Sequence, residues 1–275
     1  MRIRLGDDDM LERILRHGVG WLSGAGWSLL RLRECRNALR GAAVAKVRPF
    51  QPWSWKHGAR YFTGTREGTR VFVKVVSDEE LARREREVNE RLLERFPAAR
   101  WFPRLLGAGS FGKDHFLVFE HVPGVRLRNA AIADLSIARR SRLVDDLATL
   151  HERLFEAQLV HRDLRPANLL LRSDSAELVL IDFAFAVGVG ELADTLPELS
   201  WTPHHRRRLR RLGQGFVPQP GSWDDAHAIA ELMKLIDSRC ESIEAPAFVR
   251  VREQIGAHVH SVADRPVRVA SKPST

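Results

Sequence analysis

The sequence has little cysteine, little tyrosine and no long apolar run. Its 275 residues include two cysteines, Cys35 and Cys240, and one tyrosine. Two isolated cysteines make neither a disulfide framework nor a zinc site, so they favour a reducing compartment and predict a cytoplasmic location. No stretch reaches the ~20 apolar residues that cross a bilayer, which argues against a transmembrane segment.

Basic residues are in excess. Lysine and arginine number 44 against 35 acidic residues, which gives a net charge of +9. This balance favours anionic partners such as nucleotides or a membrane surface, and an arginine content that reflects genome composition is the equal alternative. No basic motif is interleaved with aromatic residues, so nucleic acid is not expected as a partner.

The beginning of the chain, residues 1–48, is predicted to be a helical extension. Within it, residues 17–30 are uncharged and flanked by Arg16 and Arg31. Two interpretations stay open for this stretch. It lies flat in a membrane interface, or it packs as a helix on the main domain.

From about residue 58 the pattern is that of a strand, a turn and a second strand. Arg60–Arg66 and Thr69–Val76 flank the turn residues Glu67 and Gly68. Both faces of the second strand are largely apolar, so Lys74 is predicted to lie among hydrophobic side chains.

A helix is predicted next, capped by Ser77 or Asp78 and ended by Pro97. One face of this helix carries Leu81, Glu85, Val88 and Leu92. A carboxylate in an apolar stripe needs a cationic partner, which singles out Glu85.

The remaining chain is predicted to be richer in helix. The predicted elements are a strand at His115–Phe119, a break at Pro123-Gly124, a long helix from about Ser136 to Ala157, and a hairpin of Asn168–Leu171 with Leu178–Ile181. The first part of the chain is thus strand-rich and the second helix-rich, with the polar candidate residues in loops.

One short motif points to phosphoryl transfer. His161-Arg162-Asp163 is followed, five residues after the aspartate, by Asn168, and this run resembles the catalytic loop of the eukaryotic-type protein kinase superfamily. The resemblance implies that Asp163 accepts or orients the proton of a substrate hydroxyl and that Asn168 binds magnesium. Arg165 stands where protein kinases usually carry a lysine that contacts the transferred phosphate, and arginine is not simply interchangeable with lysine there.

Other positions extend the resemblance. Asp182, followed by Phe183 and Ala184, is similar to the metal-binding Asp-Phe-Gly of that superfamily and would chelate magnesium. Lys74 matches the strand lysine that grips the inner phosphates. Glu85 is the better match for its helix partner, and Glu87 is the runner-up.

Two further segments match less sharply. Leu117–Gly124 resembles the hinge between the lobes, where the backbone of Glu120 and of Val122 would hydrogen-bond adenine. Trp223–Ala230 resembles a buried helix of the larger lobe, and Asp225 would then support the backbone of the catalytic loop.

The resemblance implies an α+β, bilobal, protein-kinase-like fold. It has a small antiparallel, β-rich N-lobe at 49–122 and a larger helical C-lobe at 123–275, after the extension. The implied cofactors are ATP and Mg²⁺, and the implied activity is ATP-dependent phosphotransfer to a hydroxyl, with protein Ser/Thr as the default acceptor.

Several features depart from that pattern. The close-set glycines that cover the phosphates in that superfamily are missing, since only Gly58 is placed to serve as a lid glycine. The segment 196–198 stands in place of Ala-Pro-Glu. The basic run Arg206–Arg211 either binds an anionic substrate or forms a solvated helix face. Only 50 residues follow Asp225, which is short for a peptide-docking platform. The alternatives are therefore a kinase of small molecules or lipopolysaccharide sugars, with peripheral contact at the inner face of a membrane, and a pseudokinase binding module.

Overall fold

The computed structural model describes most of the chain between Trp27 and Ser261. The described residues are 27, 31–52, 55, 58–129, 132–189 and 211–261. They form two compact units, one ending at Pro123 and the other beginning at Gly124.

The first unit is built on a five-stranded antiparallel sheet. Its strands are β1 (Ala45–Pro49), β2 (Ala59–Arg66), β3 (Thr69–Val76), β4 (Leu105–Phe111) and β5 (Asp114–Glu120), in the spatial order β1-β2-β3-β5-β4. The predicted strand-turn-strand of β2 and β3 is confirmed, and so is the strand at His115–Phe119.

A helix packs on one face of this sheet. The described part of helix α1 covers residues 31–41, and its Cys35 and Leu39 are fully buried against Val73, Val75 and Phe62. Because side chains alternate along a strand, the same face of β3 presents every second residue to this helix. Burial raises the pKa of the Cys35 thiol to about 12, so this cysteine behaves as an apolar core residue.

The first strand lies inside the stretch predicted to be a helical extension. Residues 45–48 are strand rather than helix, and residues 1–26 and 28–30 lie outside the described part of the chain. Apart from half-buried Val47, β1 is exposed, so no apolar alternation marks it in the sequence. The close approach of this segment to β2 requires glycine at position 64 of β2, because a Cβ there would lie 2.7 Å from Val44 Cγ1 and 2.9 Å from the Ala45 carbonyl oxygen.

Helix α2 (Glu79–Arg95) carries the buried acidic residue that the sequence singled out. Asp78 is its N-cap, and the Asp78 carboxylate accepts the backbone N–H of Leu81. The helix ends at its C-cap Phe96, directly before Pro97, as predicted. The face that carries Glu85, Val88 and Leu92 is buried.

The second unit combines helices with short strand pairs. Its helices are α3 (Ile137–Glu156), α4 (Asp225–Ile236) and α5 (Pro246–Glu253). Its strands are β6 (Gly124–Arg126), β7 (Leu159–Val160), β8 (Leu169–Arg172), β9 (Leu178–Leu180), β10 (Val187–Gly188), β11 (Ser222–Asp224) and β12 (Val259–Ser261). The predicted long helix and the predicted β8–β9 hairpin are confirmed.

The observed class is mixed α and β with antiparallel sheets, consistent with a kinase-like fold. Strand β7 pairs with β10, β8 lies between β6 and β9, and β11 pairs with β12. Among the described residues, no helix combines the length and apolar character needed to cross a membrane.

Candidate active site

The first unit buries an ion pair between β3 and α2. Lys74 Nζ lies 2.7 Å from Glu85 Oε2, and the two side chains are only 9% and 4% exposed. Lys74 points away from the α1 face because its neighbours Val73 and Val75 fill that core. The buried carboxylate and the buried ammonium that the sequence predicted are therefore each other's partner.

Glu87, the runner-up, has a different environment. Its carboxylate lies 2.7 Å from Arg83 Nη1 on the same helix, and both side chains are about 30% exposed. Burial favours Glu85 over Glu87 as the partner of Lys74. Sequence reasoning did not single out Arg84, which is 1% exposed with Nη2 3.6 Å from Glu80 Oε1.

This pair gives a stability prediction. Glu85→Ala is expected to lower the free energy of unfolding by about 3 kcal/mol, because the Lys74 ammonium stays buried after its carboxylate is removed. Glu87→Ala, the control on the exposed side, is expected to cost less than about 1 kcal/mol. Urea unfolding of the full chain measures both.

Replacing both partners removes both buried charges and tests whether the loss in Glu85→Ala comes from an unpaired ammonium. Lys74→Met with Glu85→Leu is expected to regain most of the lost stability, since apolar residues of similar volume fill the site. A Glu85→Ala variant no less stable than Glu87→Ala would contradict the buried pair.

The proposed adenine contacts lie at the end of the first unit. The backbone N–H of Glu120 donates to the Arg104 carbonyl at 2.9 Å. A backbone hydrogen bond between Glu120 and adenine would therefore use the Glu120 carbonyl oxygen as the acceptor. Val122 follows β5 in a segment without regular structure and is half-buried. The adenine roles of Glu120 and Val122 stay predictions.

In the second unit, the stretch from His161 to Asn168, which resembles a kinase catalytic loop, forms a tight loop after β7. Arg162 has a φ of +68°, and a 3-10 turn, Pro166–Asn168, ends the loop. The Asn168 side-chain amide donates to Asp163 twice, to its carbonyl at 2.9 Å and to Oδ2 at 2.8 Å. The structure thus brings Asp163 and Asn168 together as their spacing predicts.

The Asp163 carboxylate is almost fully buried and has further partners at Oδ1. The Gly213 backbone N–H donates to Oδ1 at 2.7 Å, and Arg165 Nε forms an ion pair with the same oxygen at 3.1 Å. The Arg165 side chain is 41% exposed, so a cationic group lies directly beside the carboxylate and in contact with solvent.

Burial is the largest influence on the Asp163 carboxyl and raises its pKa above the ordinary value. The negative charge of Asp182 raises this pKa as well. Arg165, the Gly213 N–H and the Asn168 amide oppose the rise. A raised pKa makes Asp163 a better proton acceptor near neutral pH.

Asp182 lies two residues after the end of β9 and has left-handed backbone angles, φ 72° and ψ 62°. The preceding residue, Ile181, donates its N–H to the Asn168 carbonyl at 3.0 Å, and its own carbonyl lies 3.2 Å from His161 Nε2. Asp182 and Asn168 therefore sit at the same end of the β8–β9 hairpin.

The alanine at 184 does not strain this segment. Ala184 lies in a 3-10 turn, Phe183–Phe185, and is not among the residues with positive φ. The left-handed position is Asp182 instead. Replacement of the usual glycine by Ala184 therefore requires no backbone change here.

Asp182 and Asn168 are suited to hold a magnesium ion. The Asn168 nitrogen donates to Asp163, so its amide oxygen is the atom left to act as a ligand. Among the described residues, no group of three or more His, Cys, Asp or Glu is arranged to hold a metal alone. Magnesium is commonly held by one or two carboxylates together with substrate phosphates, which fits this donor set.

Asp225, at the start of α4, supports the loop backbone. Its Oδ2 accepts the His161 N–H at 2.7 Å, and its carboxylate also accepts the N–H of Arg162. Complete burial, assisted by the charge of Asp224, raises the pKa of Asp225 to about 7, although the hydrogen bonds from His161 and Arg162 lower it.

Gly68 lies in the turn that the sequence predicts, and a lid role for Gly58 stays a prediction. Gly58 has a φ of +79° just before β2, and Gly68 has the same φ in the β2–β3 turn. The replacement for Ala-Pro-Glu and residues 206–210 of the basic run lie outside the described residues. Sequence reasoning also missed Gly213, which reaches Asp163 from 50 positions away.

Comparison with known proteins bears on this arrangement. The family model of the ABC1 atypical kinase-like domain matches residues 64–193. Serine/threonine-protein kinase C of Synechocystis sp. is 31% identical over 102 residues, 36% of this chain and 18% of that protein. Serine/threonine-protein kinase ppk25 of Schizosaccharomyces pombe is 35% identical over 77 residues, 26% of this chain and 17% of that protein.

By these matches the chain is similar to an atypical branch of the protein-kinase-like superfamily. They support a kinase-like function at that level. The chain spans less than a fifth of the length of these relatives, so activity, acceptor and partners are matters for proposal.

Proposed function

We propose that the chain is an ATP-dependent phosphotransferase that moves the terminal phosphate of ATP to a hydroxyl, with protein serine or threonine as the acceptor. The carrying observation is the cluster of Asp163, Asn168 and Asp182 at one end of the β8–β9 hairpin. We propose a bilobal arrangement of the two units, with an N-lobe at 49–122 and a C-lobe at 123–275, and a cytoplasmic location.

The roles follow from the chemistry of each side chain. The bond from the terminal phosphorus to the bridging oxygen of ADP breaks, and a bond to the acceptor oxygen forms. Asp163 takes the proton of the acceptor hydroxyl, and its raised pKa suits that task. Arg165, half-exposed beside Asp163, contacts the transferred phosphate.

The nucleotide is held by the other predicted residues. Lys74, oriented by Glu85, binds the inner phosphates, and the backbone of Glu120 and of Val122 binds adenine. Asn168 and Asp182 hold magnesium, which neutralises phosphate charge when bound. Phosphoryl transfer needs mainly positioning and charge stabilisation, which such a set supplies.

The acceptor is tested by separation of labelled products. The purified full chain is incubated with Mg²⁺, ATP labelled at its terminal phosphate and a cell extract, which is then split into protein, lipid and small-molecule fractions. We expect label on serine or threonine of protein, absent with Asp163→Asn. Label confined to lipid or to small molecules would contradict a protein acceptor and support a glycolipid or small-molecule kinase.

A further inference from the structure

Trp223 is buried at the junction of the β11–β12 pair and helix α4. It is 1% exposed, and it lies opposite His260 in the strand register. It immediately precedes Asp224, the N-cap of α4. A large side chain fixed by a strand pair on one side and a helix on the other is a rigid support.

The indole N–H of Trp223 anchors the segment that reaches Asp163. Trp223 Nε1 donates to the Leu212 carbonyl at 3.2 Å, and the next residue, Gly213, donates its N–H to Asp163 Oδ1 at 2.7 Å. Gly213 has a φ of +62°, and a Cβ there would sit 3.1 Å from the Arg162 carbonyl oxygen. Conformation and space both demand glycine at this point.

The ring of Trp223 supports Asp163 from the other side. The guanidinium carbon of Arg162 lies 5.2 Å from the ring centroid, and Arg162 Nη2 lies 3.0 Å from His260 Nε2. Arg162 is 1% exposed and directly precedes Asp163. A desolvated cation over an indole is a favourable contact, so the ring fixes the neighbour of the proposed proton acceptor.

We propose that Trp223 is a positioning residue for phosphotransfer, which holds both Arg162 and the Leu212-Gly213 segment and through them orients the Asp163 carboxylate. This inference rests on the proposed function. A backbone donor with fixed geometry allows the carboxylate little freedom, and a displacement of about 1 Å at a reacting group costs on the order of a hundredfold in rate.

Both oxygens of the Asp163 carboxylate have fixed partners. The Gly213 N–H and Arg165 Nε contact Oδ1, and the Asn168 amide donates to Oδ2. The nearby His161 ring accepts the Asp163 backbone N–H at 3.3 Å. Loss of the Gly213 hydrogen bond therefore leaves Oδ1 less firmly oriented, which slows the transfer step and leaves ATP binding unchanged.

Trp223→Phe removes the indole N–H and keeps an aromatic ring over Arg162. We expect turnover of Mg²⁺-ATP to fall between about tenfold and a hundredfold with little change in KM for ATP. Trp101→Phe is the matched control, because the Trp101 indole N–H has no hydrogen-bond partner among the described residues. That variant is expected to match the wild type in turnover and in KM for ATP.

Gly213→Ala disturbs the other end of the same connection. If Trp223 acts through Gly213, the double variant Trp223→Phe with Gly213→Ala is expected to have turnover only slightly below that of the slower single variant. Unchanged turnover in Trp223→Phe would overturn the proposal. So would additive losses in the double variant, or a KM for ATP that rises as much as turnover falls, because either result would describe a merely structural residue.

Hydrogen exchange separates this inference from the proposed function. Exchange of the Gly213 amide is expected to quicken in Trp223→Phe and to stay unchanged in Trp101→Phe. A wild-type chain without turnover would remove the proposed function. Equal Gly213 protection in wild type and Trp223→Phe would overturn the connection itself.

Discussion

Asp163→Asn is expected to lower phosphotransfer by about a thousandfold, the largest loss for a single substitution in the chain. The change is nearly isosteric, so the amide can still accept the Gly213 N–H at the position of Oδ1. The change removes the capacity to take a proton from the acceptor hydroxyl, and the amide nitrogen that replaces Oδ2 can no longer accept the Asn168 side-chain N–H. Steady-state turnover of Mg²⁺-ATP with the labelled acceptor fraction measures the loss.

The control is the same change on a solvent-exposed helix face. Asp145 lies on α3 with its side chain exposed, and the hydrogen bond from Thr149 goes to its backbone carbonyl, which asparagine keeps. Asp145→Asn is expected to retain wild-type turnover. Equal rates for wild type and Asp163→Asn would exclude Asp163 as the proton acceptor.

Asp182→Asn is expected to weaken the response to magnesium. The substitution removes one negative charge from the pair that would hold the ion and leaves only neutral amide oxygens at positions 168 and 182. We expect a rate about a hundredfold lower at a fixed Mg²⁺ concentration, and half-saturation at a higher concentration.

A magnesium titration of turnover at saturating ATP measures this shift. Because Asp182 raises the pKa of Asp163, its neutralisation is also expected to move the acid limb of the rate profile to lower pH. An unchanged magnesium midpoint with an unchanged rate would contradict a metal role for Asp182.

Local patterns in the sequence predicted much of the first unit. The alternation of β2 and β3 placed Lys74 on an apolar strand, and helical spacing placed Glu85 on a buried face. The requirement that a buried charge be paired then joined the two residues. The pairing of Lys74 Nζ with Glu85 Oε2, observed at 2.7 Å, could thus be predicted from short-range sequence patterns and the cost of burying an unpaired charge.

The missed features depend on close packing between distant parts of the chain. Strand β1 has almost no apolar alternation, and its place beside β2 depends on the missing side chain of Gly64. The Gly213 N–H and the His260 ring reach the catalytic loop from 50 and 98 positions away. No periodicity encodes such contacts, because they arise only when the second unit has folded.

The most direct measurement of the central claim is loss of the terminal phosphate of ATP catalysed by the purified wild-type chain, with acceptor extract present. The proposed chemistry predicts that ADP forms at the rate of acceptor labelling when Mg²⁺ is present, and that both stop when EDTA removes the metal. ATP that stays intact with Mg²⁺ and every extract fraction, or turnover that EDTA leaves unchanged, would contradict a magnesium-dependent phosphotransferase.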